Sequence, residues 1–407
     1  MVSPSLVDQD RCGGLSSGRF FCKQSPALLG HSEFLSFGSR PSTEASSSWP
    51  SPLTSTSIAG SRQQRLWGHT MIKGNLTWDK GVGLFLIFAV LLGSVLSDNF
   101  ANPSNLSFVL RDVTEFAIIA LAMAFLIISG EIDLSVASTL NLSSASLGFL
   151  YRAGVPFEVA IVGGLLVGLA CGLFNGYLVT KLGLPSLAVT IATLALYRGL
   201  SYALLGNQPV NELPEFWIGI GYGRIPGTFI PWSTILLVVL AGVAWFVLHH
   251  TRYGRWTFAI GVNAEAAKFS GIPVQRTKLM LFAMTGLMSG VAGVVYTLRF
   301  ASASPDGAVG YELSIIAAVL FGGVSIAGGV GTMWGVIAAV LSLGVIRSAL
   351  QLAGFTANSL LIVSGALLLI SVITPKITET LRNRTRAVGK ENTKKTIREV
   401  GNEKSTP

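Results

Sequence analysis

Charge is scarce in this chain. Asp, Glu, Lys and Arg together make up 12% of its 407 residues, where a soluble domain carries about 25%. Half of the residues are apolar, and the mean hydropathy is +0.60. That balance argues against a water-soluble globule with a charged shell and for a chain solvated by lipid. Cysteine is also rare: Cys12, Cys22 and Cys171 are too few and too scattered for a disulfide framework or a thiolate metal site. The histidines are His31, His69, His249 and His250, with no His-Glu-x-x-His pair. No zinc-hydrolase motif and no Ser/His/Asp or Cys/His set can be assembled from them, so no catalytic residue and no metal site is expected. The phosphate-cradling loop GxxxxGK[ST] is missing as well. Its nearest imitation, Gly389-Lys390, runs into Glu391. Gly221-Tyr-Gly223 and Gly328-Gly-Val-Gly331 lie outside the strand–turn–helix setting of dinucleotide binding. The chain is therefore expected to hold no cofactor of its own.

Long apolar runs are present in number. A helix needs about 20 apolar residues to cross the hydrocarbon core. Candidate spans are 81–97, 113–130, 134–150, 157–178, 186–205, 231–250, 279–299, 312–328, 332–351 and 357–374. The expected fold class is an all-α polytopic membrane protein with about ten transmembrane helices. Glycine breaks around Gly130–Ser135 and Gly322–Gly331 make some of them half-spanning or re-entrant. Many of the 46 glycines fall inside apolar runs, where small residues let helix backbones approach closely. Cys171 lies in such a run and is expected to pack as a small hydrophobe.

Residues 1–70 are of another kind, rich in Ser, Pro and Gly and without an apolar run of spanning length. They read as a disordered or mis-assigned extension, with translation expected from Met71. Residues 71–375 form the transmembrane domain, and 376–407 a basic tail. The net charge of +9 is a matter of topology rather than of nucleic-acid binding, because no aromatic residues interleave the basic ones. Upstream of Met71 lie Arg11, Arg19, Lys23, Arg40, Arg62 and Arg65, which leaves 23 of the 29 Lys and Arg downstream. With ten crossings and both termini in the cytoplasm, 17 of these 23 face the cytoplasm, as the positive-inside rule requires. A weak internal echo links Glu131-Ile-Asp-Leu-Ser135 with Tyr311-Glu-Leu-Ser314. Transporter folds are often built from such repeats.

The most informative stretch is the polar, basic segment 251–278 between two apolar runs. Asn263 suits an N-cap and Glu265 and Ala266 a first helical turn. Gly271 can end the helix in a left-handed conformation, and Pro273 prevents its continuation. A short helix on the membrane face is predicted, either gripped by a soluble partner or lying as an ordinary surface turn. Asn141, Asn175, Thr190 and Thr193 are polar residues within spans. They can line a translocation path or bond across helices. Glu131 and Asp133, between spans, can cap the next helix or take part in gating.

The pattern Glu265-Ala266-Ala267-x-x-x-Gly271 resembles the EAA loop of permease subunits of ATP-binding-cassette importers. The longer run of Gly261, Asn263, Ala266, Ala267, Ser270, Gly271 and Ile272 is similar to the ribose/arabinose/autoinducer-2 type of sugar permease. Ser129-Gly-Glu-Ile-Asp133-Leu-Ser135, Gly172-Leu-Phe-Asn175-Gly176, Gly310-Tyr-Glu-Leu313 and Leu320-Phe-Gly322-Gly323 add to the likeness, which covers most of 99–374. The chain departs from the family at Glu131, usually Gly, at Pro185-Ser186, usually Pro-Phe, and in having residues 1–70. The resemblance implies a permease without enzymatic activity in a bacterial plasma membrane. It implies cytoplasmic ATPase subunits that use the ATP and dock on Gly261–Ile272, and a second permease chain in a homo- or heterodimer. It also implies a periplasmic or lipid-anchored sugar-binding protein, membrane lipids around the spans and no nucleic acid. The competing classes are a secondary transporter driven by an ion gradient and a non-transporting scaffold or intramembrane enzyme.

Overall fold

The chain divides into two units, 1–59 and 60–407. The computed structural model describes residues 78–355 together with the helical positions Ile362, Gly365, Ala366 and Leu369, all in the second unit. The extension 1–70, Met71, Cys12, Cys22, most of the span expected at 357–374 and the tail 376–407 lie outside the described residues. Helix α1 runs Trp78–Leu96. It is followed by α2 (Pro103–Ile128), α3 (Val136–Arg152), α4 (Phe157–Lys181), α5 (Ser186–Leu205), α6 (Glu215–Tyr222), α7 (Trp232–His250) and α8 (Arg252–Val262). Then come α9 (Ala264–Phe269), α10 (Val274–Phe300), α11 (Tyr311–Phe321) and α12 (Met333–Leu352). Among the described residues the only β pairings are two isolated bridges, Val210 with Ala303 and Arg224 with Pro231. Helices α1, α4, α5, α7, α10 and α12 are long and apolar enough to cross a membrane.

Helix α2 is the central post. Every residue from Val113 to Ile128 is buried, enclosed by α7, α10, α11 and α12. It starts at Pro103, ten residues ahead of the span read from the sequence. Asn102 caps it by accepting from the Ser104 N–H at 3.0 Å, and Pro103 takes the first helical position, where a missing N–H costs nothing. Hydropathy misses this first part because Arg111 and Asp112 interrupt it; Asp112 pairs with Arg299 on α10 and Arg111 donates to the Tyr222 carbonyl on α6.

Helix α10 packs along α4 through glycines. A Cβ on Gly168 would lie 2.7 Å from the Gly286 carbonyl oxygen, and one on Gly176 would lie 2.9 Å from Phe282. The Gly168, Gly172 and Gly176 row, four residues apart, thus brings the two backbones together as small residues do in membranes. Cys171, buried beside Leu142 and Tyr197, packs as an apolar side chain.

The predicted break after Phe321 is present and shortens α11 to 11 residues, against the 312–328 expected. Gly322 and Gly323 end it, Gly323 with φ +89, where an L side chain is disfavoured. The aromatic ring of Tyr311 stacks on Phe116 at 4.1 Å, midway along α2, so α11 begins at half depth. In the irregular segment 301–310 that leads into it, Ala303, Pro305, Gly307 and Ala308 are buried, while Asp306 and Val309 are exposed. The second break, at 129–135, separates α2 from α3. Chain direction and contacts gather one set of features at one end of the bundle: Trp78, the 129–135 turn, the α4–α5 turn, α8, α9 and the start of α10. This is called the α9 end below.

Candidate functional site

The 251–278 segment is more helical than its polarity suggests. Thr251 ends α7 and begins α8, its hydroxyl donating to the Val247 carbonyl at 2.6 Å and accepting from Gly254 N–H. Only Gly254, Thr257 and Ile260 of α8 are buried, so the helix lies with one face on the bundle. Asn263 swings to an extended conformation and its Oδ1 accepts from Ala266 N–H at 2.9 Å, capping α9. At the other end the Ile272 N–H donates to Ala267 O and the Gly271 N–H to Lys268 O, both at 3.1 Å. With Gly271 at φ +81 this is a Schellman stop. Ser270 Oγ closes the last turn onto the Ala266 carbonyl.

Helix α9 is thus tied at both ends and turned outward. Ala267 is its one buried residue, while Glu265 and Ala266 are exposed. Phe269 stands 92% exposed, and Val262 just before the cap 74%. The sequence reading passed over both, although a Phe and a Val in a polar loop were the available signal.

Gly261 has a structural duty of its own. A Cβ there would run into the Ile128 carbonyl oxygen and the Gly329 N–H. That N–H donates to the same Ile128 carbonyl at 2.8 Å. The end of α8 therefore meets, backbone to backbone, the turn after α2 and the turn between α11 and α12.

The polar residues within spans separate into two groups. Asn175, Thr190 and Thr193 are buried and gather beside the 129–135 turn. Asn175 Nδ2 donates to Ser135 Oγ at 2.8 Å, and Asn175 Oδ1 accepts from the Tyr197 hydroxyl at 3.0 Å. Thr190 reaches the Ile132 carbonyl at 3.5 Å, and Thr193 the Thr190 carbonyl at 3.4 Å. Asp133 Oδ1 accepts from Ser135 N–H at 2.8 Å and Ser135 Oγ at 2.6 Å, at the start of α3. Asn141 lies apart from these. It donates to the Pro305 carbonyl at 2.5 Å, and its Oδ1 is buried without a partner. Glu131 pairs with Lys278 in the first turns of α10. That ion pair was not legible in the sequence, because its residues are 147 positions apart.

Toward the other end of the bundle lies a charged network that the sequence reading left out. Arg299 on α10 pairs with Asp112 at 2.8 Å and with the fully buried Glu115 at 3.2 Å, and Arg347 on α12 approaches Asp112 at 3.8 Å. Arg347 also lies over the Phe116 ring. Ionisable residues within an apolar run are themselves a signal of internal pairing, and Asp112 and Glu115 carried it.

None of this geometry assembles a nucleophile with a base, or a group of three metal-binding side chains among the described residues. It offers instead a protruding helix and a polar interior. The family described as "Branched-chain amino acid transport system / permease component" matches residues 105–372. The chain is 38% identical over 292 residues to the ribose import permease of Bacillus subtilis (strain 168), covering 72% of this chain and 90% of that protein. It is 34% identical over 299 residues to the L-arabinose transport system permease of Escherichia coli (strain K12), covering 73% and 90%. To the autoinducer 2 import system permease of Salmonella paratyphi A it is 33% identical over 307 residues, covering 73% and 91%. The resemblance read from the motifs therefore holds over most of the described structure, and the chain belongs to this family of multi-pass membrane permeases.

Proposed function

We propose that the chain is the membrane-spanning subunit of an ATP-binding-cassette importer, forming the path of a monosaccharide or sugar-like small molecule. The observation that carries this reading is α9, a helix of six residues capped at both ends with Phe269 presented outward. A short rigid helix with one apolar anchor is the form that fits a groove in a soluble partner. The sequence lacks a loop for ATP phosphates, so the partner is the ATPase. The bias of Lys and Arg toward 251–278 and the tail supports a cytoplasmic α9 end. The exposed apolar faces of α1 and α7, among them Phe88, Leu91, Val239 and Phe246, are suited to lipid or to a second permease chain. A soluble binding protein delivers the sugar at the opposite end. The three relatives named above support the substrate class, since two carry pentoses and the third a small signal molecule by name.

In this reading, closure of the ATPase dimer draws the two docked α9 helices together. Gly261 passes the movement to the turns after α2 and α11, and Gly271–Pro273 passes it to α10. The test is reconstitution with the ATPase and binding protein encoded alongside. Uptake of radiolabelled ribose or arabinose should require ATP and be lost when 261–272 is scrambled; uptake that survives the scrambling overturns the reading. An ion-driven carrier is the second reading, favoured by the buried Asp112–Glu115–Arg299–Arg347 network. It requires uptake without any ATPase that collapses on adding a protonophore.

A further inference from the structure

At the α9 end a cleft of about 320 Å³ opens between the 129–135 turn, the end of α4, the α4–α5 turn and the first turns of α10. Its polar lining is Glu131, Thr180, Ser186, Gln275 and Lys278, and Val179, Leu184 and Val274 supply apolar wall. This volume is at the small end of ligand sites, which span about 300–1,000 Å³, and has room for one sugar ring. The lining chemistry also suits it. A carboxylate accepts, an ammonium donates, and an amide and a hydroxyl do both, which matches a ring bearing hydroxyls that are donors and acceptors at once. The cleft adjoins the buried group described above, because Glu131 shares a turn with Ile132 and Asp133, the partners of Thr190 and Ser135.

Two walls of the cleft are tied by the Glu131–Lys278 pair, both members partly buried. One wall is continuous with the docking segment. Only Ser270–Pro273 separate α9 from α10, and those residues are held by the Schellman bonds and by Thr277 Oγ1 donating to the Pro273 carbonyl at 3.0 Å. A displacement of α9 therefore reaches Lys278 through a short, hydrogen-bonded connector.

Building on the proposed sugar-importer function, we propose that this cleft is the inner site that holds a monosaccharide before release, and that the Glu131–Lys278 pair is a latch across it which movement of α9 opens.

The test uses the full importer in proteoliposomes, with the permease carrying Cys12→Ser, Cys22→Ser and Cys171→Ala, and Ser186→Cys added as the reporter. A membrane-impermeant thiol reagent is applied from the α9 side. Ribose and arabinose are the probes, sucrose the control, and transport of each is measured separately on the unsubstituted protein. We expect a transported monosaccharide to slow labelling of the reporter at least threefold while sucrose does not. Labelling indifferent to a sugar that the unsubstituted protein transports overturns the cleft as a site but leaves the importer reading intact. Failure to transport either sugar, with no ATP hydrolysis stimulated by the binding protein, removes the importer reading and the cleft with it. For the latch, Lys278→Met should raise ATP hydrolysis without binding protein at least threefold, and the exchanged pair Glu131→Lys/Lys278→Glu should bring it back. Equal rates in the single and exchanged variants overturn the latch.

Discussion

Gly261 and Gly271 illustrate two different reasons for glycine ten residues apart. At Gly271 there is open space but φ is +81. An alanine there pays for the left-handed backbone, roughly 1–2 kcal/mol, and asparagine, which tolerates that conformation, pays less. At Gly261 there is no space, because the Ile128 carbonyl and the Gly329 N–H already occupy it. Neither of those backbone groups can step aside as a side chain would. Gly261→Ala is expected to lower stability by about 1–3 kcal/mol, the range of overpacking, and asparagine should be worse. Thermal unfolding of the detergent-purified variants separates the cases: asparagine should outperform alanine at 271 and underperform it at 261. The first requirement was visible in the sequence, since a glycine after a short helical pattern signals a left-handed stop. The second was not, because the colliding atoms come from positions more than sixty residues away on either side.

Helix α9 shows how little is needed to define an element locally. A cap, two turns and a glycine stop were all readable, and the structure places each where local chemistry puts it. Removing the cap with Asn263→Ala should weaken the helix by about 1 kcal/mol without altering membrane insertion. Phe269 is the larger lever. If it anchors the ATPase, Phe269→Ala should cost at least about 2 kcal/mol of association, roughly thirtyfold in Kd. Phe269→Leu should retain most of the affinity. Co-purification of the ATPase at graded concentrations reads both, and unchanged retention by the alanine variant would show that α9 docks without its apolar residue. Helices α2 and α11 mark the limit of element reading. Hydropathy began α2 too late because Arg111 and Asp112 look like a boundary. It ran α11 too long because residues beyond Phe321 remain apolar after the backbone has turned away.

Across the molecule, the ion pairs among the described residues form in two places. Near one end the Glu131–Lys278 pair joins the turn after α2 to α10. Toward the other, Arg299 and Arg347 join α10 and α12 to α2. Glu115 is wholly enclosed, so Arg299→Gln leaves a buried carboxylate unmatched. A loss of about 3–5 kcal/mol is expected, as for other broken buried pairs. Substituting both partners, Arg299→Met with Glu115→Gln, should be milder than the single change, since no uncompensated charge remains. Thermal melts of the two variants decide this, and a double variant no better than the single would mean that Asp112, not Glu115, is the partner that matters. Cys171 offers an independent check of the packing. It is buried between α3 and α5, so a water-soluble thiol reagent should leave it unmodified until the protein is denatured.

Composition and local chemistry alone determined the membrane class, the two glycine breaks and helix α9 with its caps. These follow from lipid solvation and from hydrogen bonds that close within a few residues, so they are written in adjacent letters. Only the tertiary structure decided which polar groups meet. Asn175, Thr190 and Asp133 converge on one turn while Asn141 stands elsewhere, Glu131 finds Lys278, and Gly261 wedges between two broken helices. Those outcomes depend on how helices far apart in sequence cross, and an apolar run carries no record of the neighbour against which it will pack.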